Sequence, residues 1–258
     1  MSTVGDAGAA RGALRLAAAV LRLDGVVADT AGVHAAAWKL TMDDLLRRRA
    51  RRRGDRFRPF DLRDDYLEFF DGRGWRDGVQ AFLASRAVRL SPEDAGAGHG
   101  PDLTALGERA EYYVRDHVGV FGITAARSSV RLLRDLHEAG LRVAAVSAQC
   151  GARSVVAAAG VARWVDLVVD GRDSDRLAWE KGDSGRVLRA EAVRRSGVPP
   201  QRAAAVECAL EDVAAASADG FGRVIGVDWT RRSAAAFHTC GADVVVSDLA
   251  ELGAGDFV

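Results

Sequence analysis

Aromatic residues are scarce in this chain. Phe, Tyr and Trp make up 7% of its 258 residues, against 48% hydrophobic residues overall. Ala, Val and Leu must therefore do most of the packing, which is an ordinary globular composition. Lysine is scarcer still: Lys39 and Lys181 are the only two, so arginine supplies nearly all the positive charge. Net charge is missing too. Lys+Arg and Asp+Glu each number 36, which removes any global electrostatic attraction to nucleic acid or to an anionic membrane. No apolar run approaches the roughly 20 residues that span a bilayer. Cys150, Cys208 and Cys240 show no metal-type spacing and read as free thiols in a reducing compartment. Residues 1–15 lack the basic, apolar and cleavage-site order of a secretory signal. We expect them to be a disordered tail on a cytoplasmic protein that has neither nucleic acid nor membrane as partner.

The length suits one large domain or one domain with an insertion. An apolar run from Leu16 to Leu21 reads as a buried strand. Val33 to Arg53 then carries a helical stripe beside the basic run Arg47 to Arg53, which we read as a solvated helix end rather than a nucleic-acid surface. Phe57 to Ala87 stays helical around a turn at Asp71-Gly72-Arg73-Gly74-Trp75. Ser91 to Thr104 reads as a loop, and a helix follows over Leu103 to Asp116.

After Phe121 strand and helix alternate. Helices are expected over Ser128–Ala139, Val155–Val161, Val187–Ser196 and Leu210–Ala218. Strands are expected over Leu141–Val146, Val165–Val169, Ala203–Val206, Arg223–Val227 and Val244–Val246. Alternation of this kind argues for parallel crossovers and a doubly wound sheet, interrupted after its first strand by a helical block.

The first strand leads into Leu21-Arg22-Leu23-Asp24-Gly25-Val26-Val27-Ala28-Asp29-Thr30. In an open α/β sheet ligands sit at the carboxyl ends of the strands, so Asp24 is well placed to touch one. The stretch resembles the first motif of the haloacid-dehalogenase-like superfamily, where a strand ends in Asp-x-Asp-Gly and a Thr follows. Thr30-Ala31-Gly32-Val33-His34 with Ala37-Trp38-Lys39, Ser147 at its strand end, Lys181 and Glu207-Cys208 extend the resemblance, in order, to the β-phosphoglucomutase-like branch. It covers about Leu16 to Leu252. It implies a Rossmann-like core over 16–36 and 122–258 with an α-helical cap over 37–121.

The resemblance also implies roles. Asp24 takes the acid/base position and His34 assists it. Ser147, Lys181 and backbone amides near Gly25 would hold phosphate. Arg22 stands where the family has its aspartyl nucleophile, and an arginine carries no carboxylate. Asp24, Glu207 and Cys208 are remnants of a magnesium site, and a thiol suits magnesium poorly. We therefore expect no metal or other cofactor, with Arg22 in the metal's place and paired with Asp24 or Glu207.

Ala148-Gln149-Cys150-Gly151 lacks the usual phosphate-binding groups of its loop. Trp75 stands where an arginine would grip a second phosphate, a loss for which Arg73 or Arg76 compensates if the turn has shifted. The function expected first is a pseudoenzyme that binds a phosphorylated metabolite or a protein partner. The alternative is an active phosphatase or β-phosphoglucomutase-like sugar-phosphate enzyme, needing magnesium, or another acid/base chemistry at Asp24.

Overall fold

A computed structural model describes residues 15–90, 102–174, 184–231 and 233–257. Its centre is β1 (Ala18–Arg22), whose first four residues are completely buried. β1 pairs in parallel with β2 (Arg142–Val146) on one side and β4 (Ala203–Glu207) on the other. With β3 (Leu167–Val169), β5 (Arg223–Val227) and β6 (Val244–Val246) they form a six-stranded sheet in the order β3-β2-β1-β4-β5-β6. All its pairings are parallel. The predicted α/β doubly wound sheet is present, with β1 beside its switch point.

A parallel sheet needs both faces covered, and alternate side chains along each strand supply the two faces. Ala19, Leu21, Val143 and Ala145 pack with Leu132, Leu133 and Leu136 of α5 (Arg127–Glu138) and with Phe257 near the C-terminus. Ala18, Val20 and Ala144 pack on the other face with Leu188 and Ala192 of α8 (Ser184–Ser196) and Val213 of α9 (Leu210–Ala218). Small strand side chains leave the volume to the helices' leucines.

Between β1 and α5 the chain forms α1 (Ala31–Arg53), α2 (Asp64–Phe69), α3 (Trp75–Ser85) and α4 (Leu103–Phe121). The scarce aromatics gather here. Trp38, Phe60, Tyr66, Phe69, Phe70, Trp75 and Phe82 form a third core, with the Trp38 and Phe70 rings stacked at 4.7 Å. Three arginines in the last turn of α1 complement its dipole, and Gly54 caps it in the left-handed conformation.

The structure departs from the predicted elements where breakers decide. Phe57 to Arg63 is not helical, because Gly54 ends α1 and Pro59 disfavours helix at the residue before it. α4 runs beyond Asp116 to Phe121. α6 (Ala152–Ala158) starts earlier than predicted, just after Gly151 at φ 89°. A side chain at Gly151 would come within 2.9 Å of Val114 in α4. Two short helices, α7 (Gly171–Ser174) and α10 (Ala234–Thr239), lack an apolar period long enough to read. Most of the loop predicted over Ser91–Thr104 lies outside the described residues.

Two glycines of α4 test the packing. A Cβ at Gly107 would lie 2.7 Å from the ring of the fully buried Trp75, whereas Gly119 has nothing within 4 Å. Helix propensity favours alanine at both by about 1 kcal/mol. Overpacking typically costs about 1–3 kcal/mol. Urea unfolding should therefore show Gly119→Ala neutral or stabilised and Gly107→Ala destabilised.

Candidate functional site

The parallel register sets the site. Arg22 pairs with Val146 and Leu21 with Val206, so Arg22 ends β1 beside Ser147 just after β2 and Glu207 at the end of β4. Beyond Arg22 the chain turns tightly. Gly25 adopts φ 80°, its amide donates to the Ala28 carbonyl at 2.9 Å, and Val27 donates back to Leu23 at 3.1 Å. The amide of Gly25 is thus committed within its own turn. What Gly25 supplies is the turn that presents Asp24.

Asp24 is the best-held side chain of the site. Its Oδ1 accepts from the Thr30 hydroxyl at 2.7 Å and from Nε2 of His34 at 3.2 Å, and its Oδ2 accepts from the Ser147 hydroxyl at 2.5 Å. Burial would raise its pKa. The hydrogen bond and charge of His34, with the hydroxyls of Ser147 and Thr30, outweigh that and hold the carboxyl down at about 2. Asp24, Ser147 and His34, far apart in sequence, therefore meet in one network, and Thr30 completes it.

The expected pairing of Arg22 with Asp24 or Glu207 is met at Glu207 as a long ion pair, and its nearer partner is Asp212. The guanidinium binds Asp212 in the first turn of α9, with Glu207 farther off at 3.9 Å. No contact joins it to Asp24 among the described hydrogen bonds and ion pairs, and α9 draws it the other way through Asp212. Burial opposes the charge of Arg22, but Asp212 and then Glu207 outweigh it and raise the pKa.

A second guanidinium closes the cluster. Nη1 of Arg189, in α8, donates to Glu207 at 3.0 Å and to Asp212 at 3.1 Å. Arg189 and Glu207 are each only 1% exposed. Two cations thus face two carboxylates. Burial pushes Glu207 up to about 7 against the pull of Arg189, and the nearby Asp212 adds to the rise. Gly185 leaves the space for this arrangement, since a Cβ there would lie 2.6 Å from Asp212. Cys208, whose Sγ is 3.8 Å from the Asp24 carbonyl, is pushed up by burial to about 11 and stays a thiol.

Gln149 ties this sheet end to the helical block. Its side chain accepts from Nε1 of Trp38 at 3.0 Å and donates to the carbonyls of Phe70 and Arg73 at 3.2 and 3.0 Å. Between the two lies a cavity of about 240 Å³, lined among others by Arg22, Asp24, Asp29, Asp71, Arg73 and Gln149. Trp75 is absent from that lining. It is fully buried, its Nε1 donates to the Gly171 carbonyl at 3.1 Å, and it belongs to the aromatic core. Arg73 lines the cavity, while Arg76 lies over the Trp75 ring. Lys181 lies outside the described residues. Among the described residues no group of three or more His, Cys, Asp or Glu is placed to hold a metal ion.

Sequence reasoning missed Asp212, Arg189 and the part played by Gln149. The only available signal was weak: Asp212 is one of two acidic residues opening α9, where a helix dipole favours them anyway. Nothing in the spacing of Arg189, Glu207 and Asp212 pairs them in advance.

A six-stranded parallel sheet with a helical block following its first strand, and a half-buried carboxylate just past the end of that strand, defines a class of α/β proteins whose chemistry sits at the strand ends. The chain belongs to the haloacid dehalogenase-like hydrolases, whose family model matches residues 18–220. It is 39% identical over 245 residues to a β-phosphoglucomutase of Mycobacterium bovis, covering 92% of both chains. It is also 34% identical over 247 residues to an uncharacterized glycosyl hydrolase of Mycobacterium tuberculosis, covering 93% of this chain but 18% of that one. Among solved structures, CbbY of Rhodobacter sphaeroides in complex with phosphate matches at TM-score 0.66 and 22% identity, covering 92% of this chain and 96% of that one. A β-phosphoglucomutase of Clostridium difficile matches at TM-score 0.63 and 18% identity, covering 92% and 93%. At these identities the structures support the fold.

Two measurements check the cluster. Asp212→Asn leaves Arg22 and Arg189 short of a counter-charge and should cost roughly 3 kcal/mol in urea unfolding, the low end for breaking a buried pair because Asp212 is partly exposed. Glu207 gives a pH signature. Between about pH 4.5 and 7 the folded chain holds a proton on Glu207 that the unfolded chain has released, so stability falls as pH rises across that window. The Glu207→Gln variant should lack this component of the slope.

Proposed function

We propose that the chain is a sugar-phosphate protein of the phosphatase and phosphomutase class, working in the cleft over Asp24, with residues 37–121 as a cap on a core of 16–36 and 122–258. The 39% identity to a β-phosphoglucomutase along 92% of both chains supports the class. The single observation that carries the site is Asp24, held ionised by Thr30, His34 and Ser147 at the floor of a cleft with Arg73 on its wall. No helix among the described residues is long and apolar enough to cross a membrane, and the phosphorylated ligand is taken to be a free small molecule.

Phosphoryl transfer needs an in-line nucleophile, positive charge over the equatorial oxygens and a proton path for the leaving group. Arg22 has no carboxylate, so an aspartyl phosphate at position 22 is closed to this chain. The oxygen that attacks must then be water or a second hydroxyl, oriented by Asp24. With a pKa of about 2, Asp24 accepts a proton weakly and at neutral pH has none to give. Among the described residues that line the cleft, Arg73 is the cation free to meet the phosphate, since Arg22 is held by Asp212. Turnover by this route is slow.

The family's magnesium does not fit these residues. A hard divalent ion wants oxygen ligands. Glu207 is buried against Arg189, Cys208 is a neutral thiol, and both oxygens of Asp24 already accept hydrogen bonds. The guanidinium of Arg22 adds a positive charge among them, and we route no step through a metal.

The hold of Asp212 on Arg22 favours a second reading, in which the cleft binds a phosphorylated metabolite, or presents the bound form to a protein partner, without turnover. Phosphate release from an aryl phosphate and from a hexose 1-phosphate separates the two. It is measured with and without magnesium on the natural protein and on Arg22→Asp with Cys208→Asp. Slow release by the natural protein, indifferent to magnesium, is the expected result. Silence of the natural protein, with magnesium-dependent turnover gained by the double variant, would overturn it and leave the binding reading.

A further inference from the structure

Away from the cleft, the C-terminal end of α1 and the end of α3 frame a second cavity of about 540 Å³. Among the described residues its walls carry Arg49, Arg53, Arg56, Arg58 and Arg86 with one carboxylate, Asp55. The chain as a whole is neutral, so this excess is a local arrangement and not a consequence of a basic protein. The dipole of α1 accounts for Arg53, in its last turn. It does not account for Arg56, Arg58 and Arg86, which lie outside that helix.

The arginines fall into two groups. Arg86 is fixed, with Nη2 donating to Asp65 at 2.7 Å and its guanidinium 5.2 Å from the centre of the Phe82 ring. Arg49 is buried, and its Nη1 donates to the Arg89 carbonyl at 3.0 Å. Arg53, Arg56 and Arg58 are exposed and make no ion pair or side-chain hydrogen bond among the described residues. Around one concavity these three guanidiniums repel one another, with Asp55 the one carboxylate among the described lining residues, and an anion placed between them relieves that repulsion.

Ala87, which lines the cavity, adopts φ 51° because it closes α3, with the Val88 amide donating back to the Leu83 carbonyl at 2.8 Å. The floor, with Leu46 and Val88, is apolar. The volume lies within the usual range of small-molecule pockets, about 300–1,000 Å³. No aromatic side chain lines it to stack a base, which argues against single-stranded nucleic acid.

We propose that this cavity is a second ligand site, separate from the Asp24 cleft, which takes a small metabolite bearing at least two phosphate groups. The planar guanidinium forks pair with the phosphates, two or more of which are needed to bridge the free arginines. The remainder of the ligand rests on the apolar floor.

Calorimetric titration of the full-length chain with inorganic tripolyphosphate tests this. Binding is expected to weaken as ionic strength is raised from low to physiological. It should fall roughly tenfold or more in Arg53→Ala with Arg56→Ala, and likewise in Arg56→Ala with Arg58→Ala. These side chains are exposed, so thermal melting should show both variants folded. Arg73→Ala, in the other cleft, should leave binding in place. Absence of binding to the natural protein would overturn the proposal. So would a loss confined to Arg73→Ala, which would place the anion over Asp24, or tighter binding of a short DNA duplex through the same arginines, which would assign the surface to nucleic acid.

Discussion

The hydrogen-bond ladder that joins β1 to β2 and β4 is the interaction on which the rest of the structure depends. Its parallel register brings Arg22, Ser147 and Glu207 to one level at the strand ends, although 185 positions separate the first number from the last in sequence. A shift of one residue in any pairing would turn each side chain to the opposite face. Alanine-rich strands make that ladder possible, because small side chains let α5, α8 and α9 press on both faces. The sequence's poverty in aromatic residues and its central sheet are two views of the same packing solution.

On that platform, two polar systems lie side by side without sharing a hydrogen bond among those described. One centres on Asp24 and consists of hydroxyl and imidazole donors around an ionised carboxylate. The other consists of Arg22 and Arg189 with Asp212 and Glu207. The second system is self-neutralising, which is why charge of this density is tolerated where Arg189 and Glu207 are almost wholly buried. Asp24 remains available to a ligand because its environment is made of neutral donors and His34, and because Arg22 is drawn the other way by α9.

The helical block is coupled to this platform by packing of Val33, Ala37, Val114 and Val118 into the sheet's core and by directional polar contacts. Gln149 reaches Trp38, Phe70 and Arg73, and Trp75 reaches Gly171. A tryptophan that touches two glycines in different elements, Gly107 and Gly171, leaves little freedom for the block to slide. The cleft between block and sheet is therefore shaped by the aromatic core as much as by the residues that line it.

The alternation of apolar runs and helical periods, broken at glycines, was enough to determine the parallel α/β fold, because those signals are local and repeat along the chain. The stretch from Leu21 to Thr30, with His34, Ser147 and Glu207, likewise pointed to residues that meet at the strand ends. Local pattern did not determine the break between Gly54 and Arg63 in full, nor the short helices after Asp170 and Ser233. Only the tertiary structure decided that Arg22 pairs with Asp212 rather than with Asp24, that the Gly25 amide turns inward and that Trp75 is buried behind Arg73. Each of these depends on which groups meet across elements far apart in sequence. A charge chooses its partner by distance and desolvation, and neither is written in the order of residues.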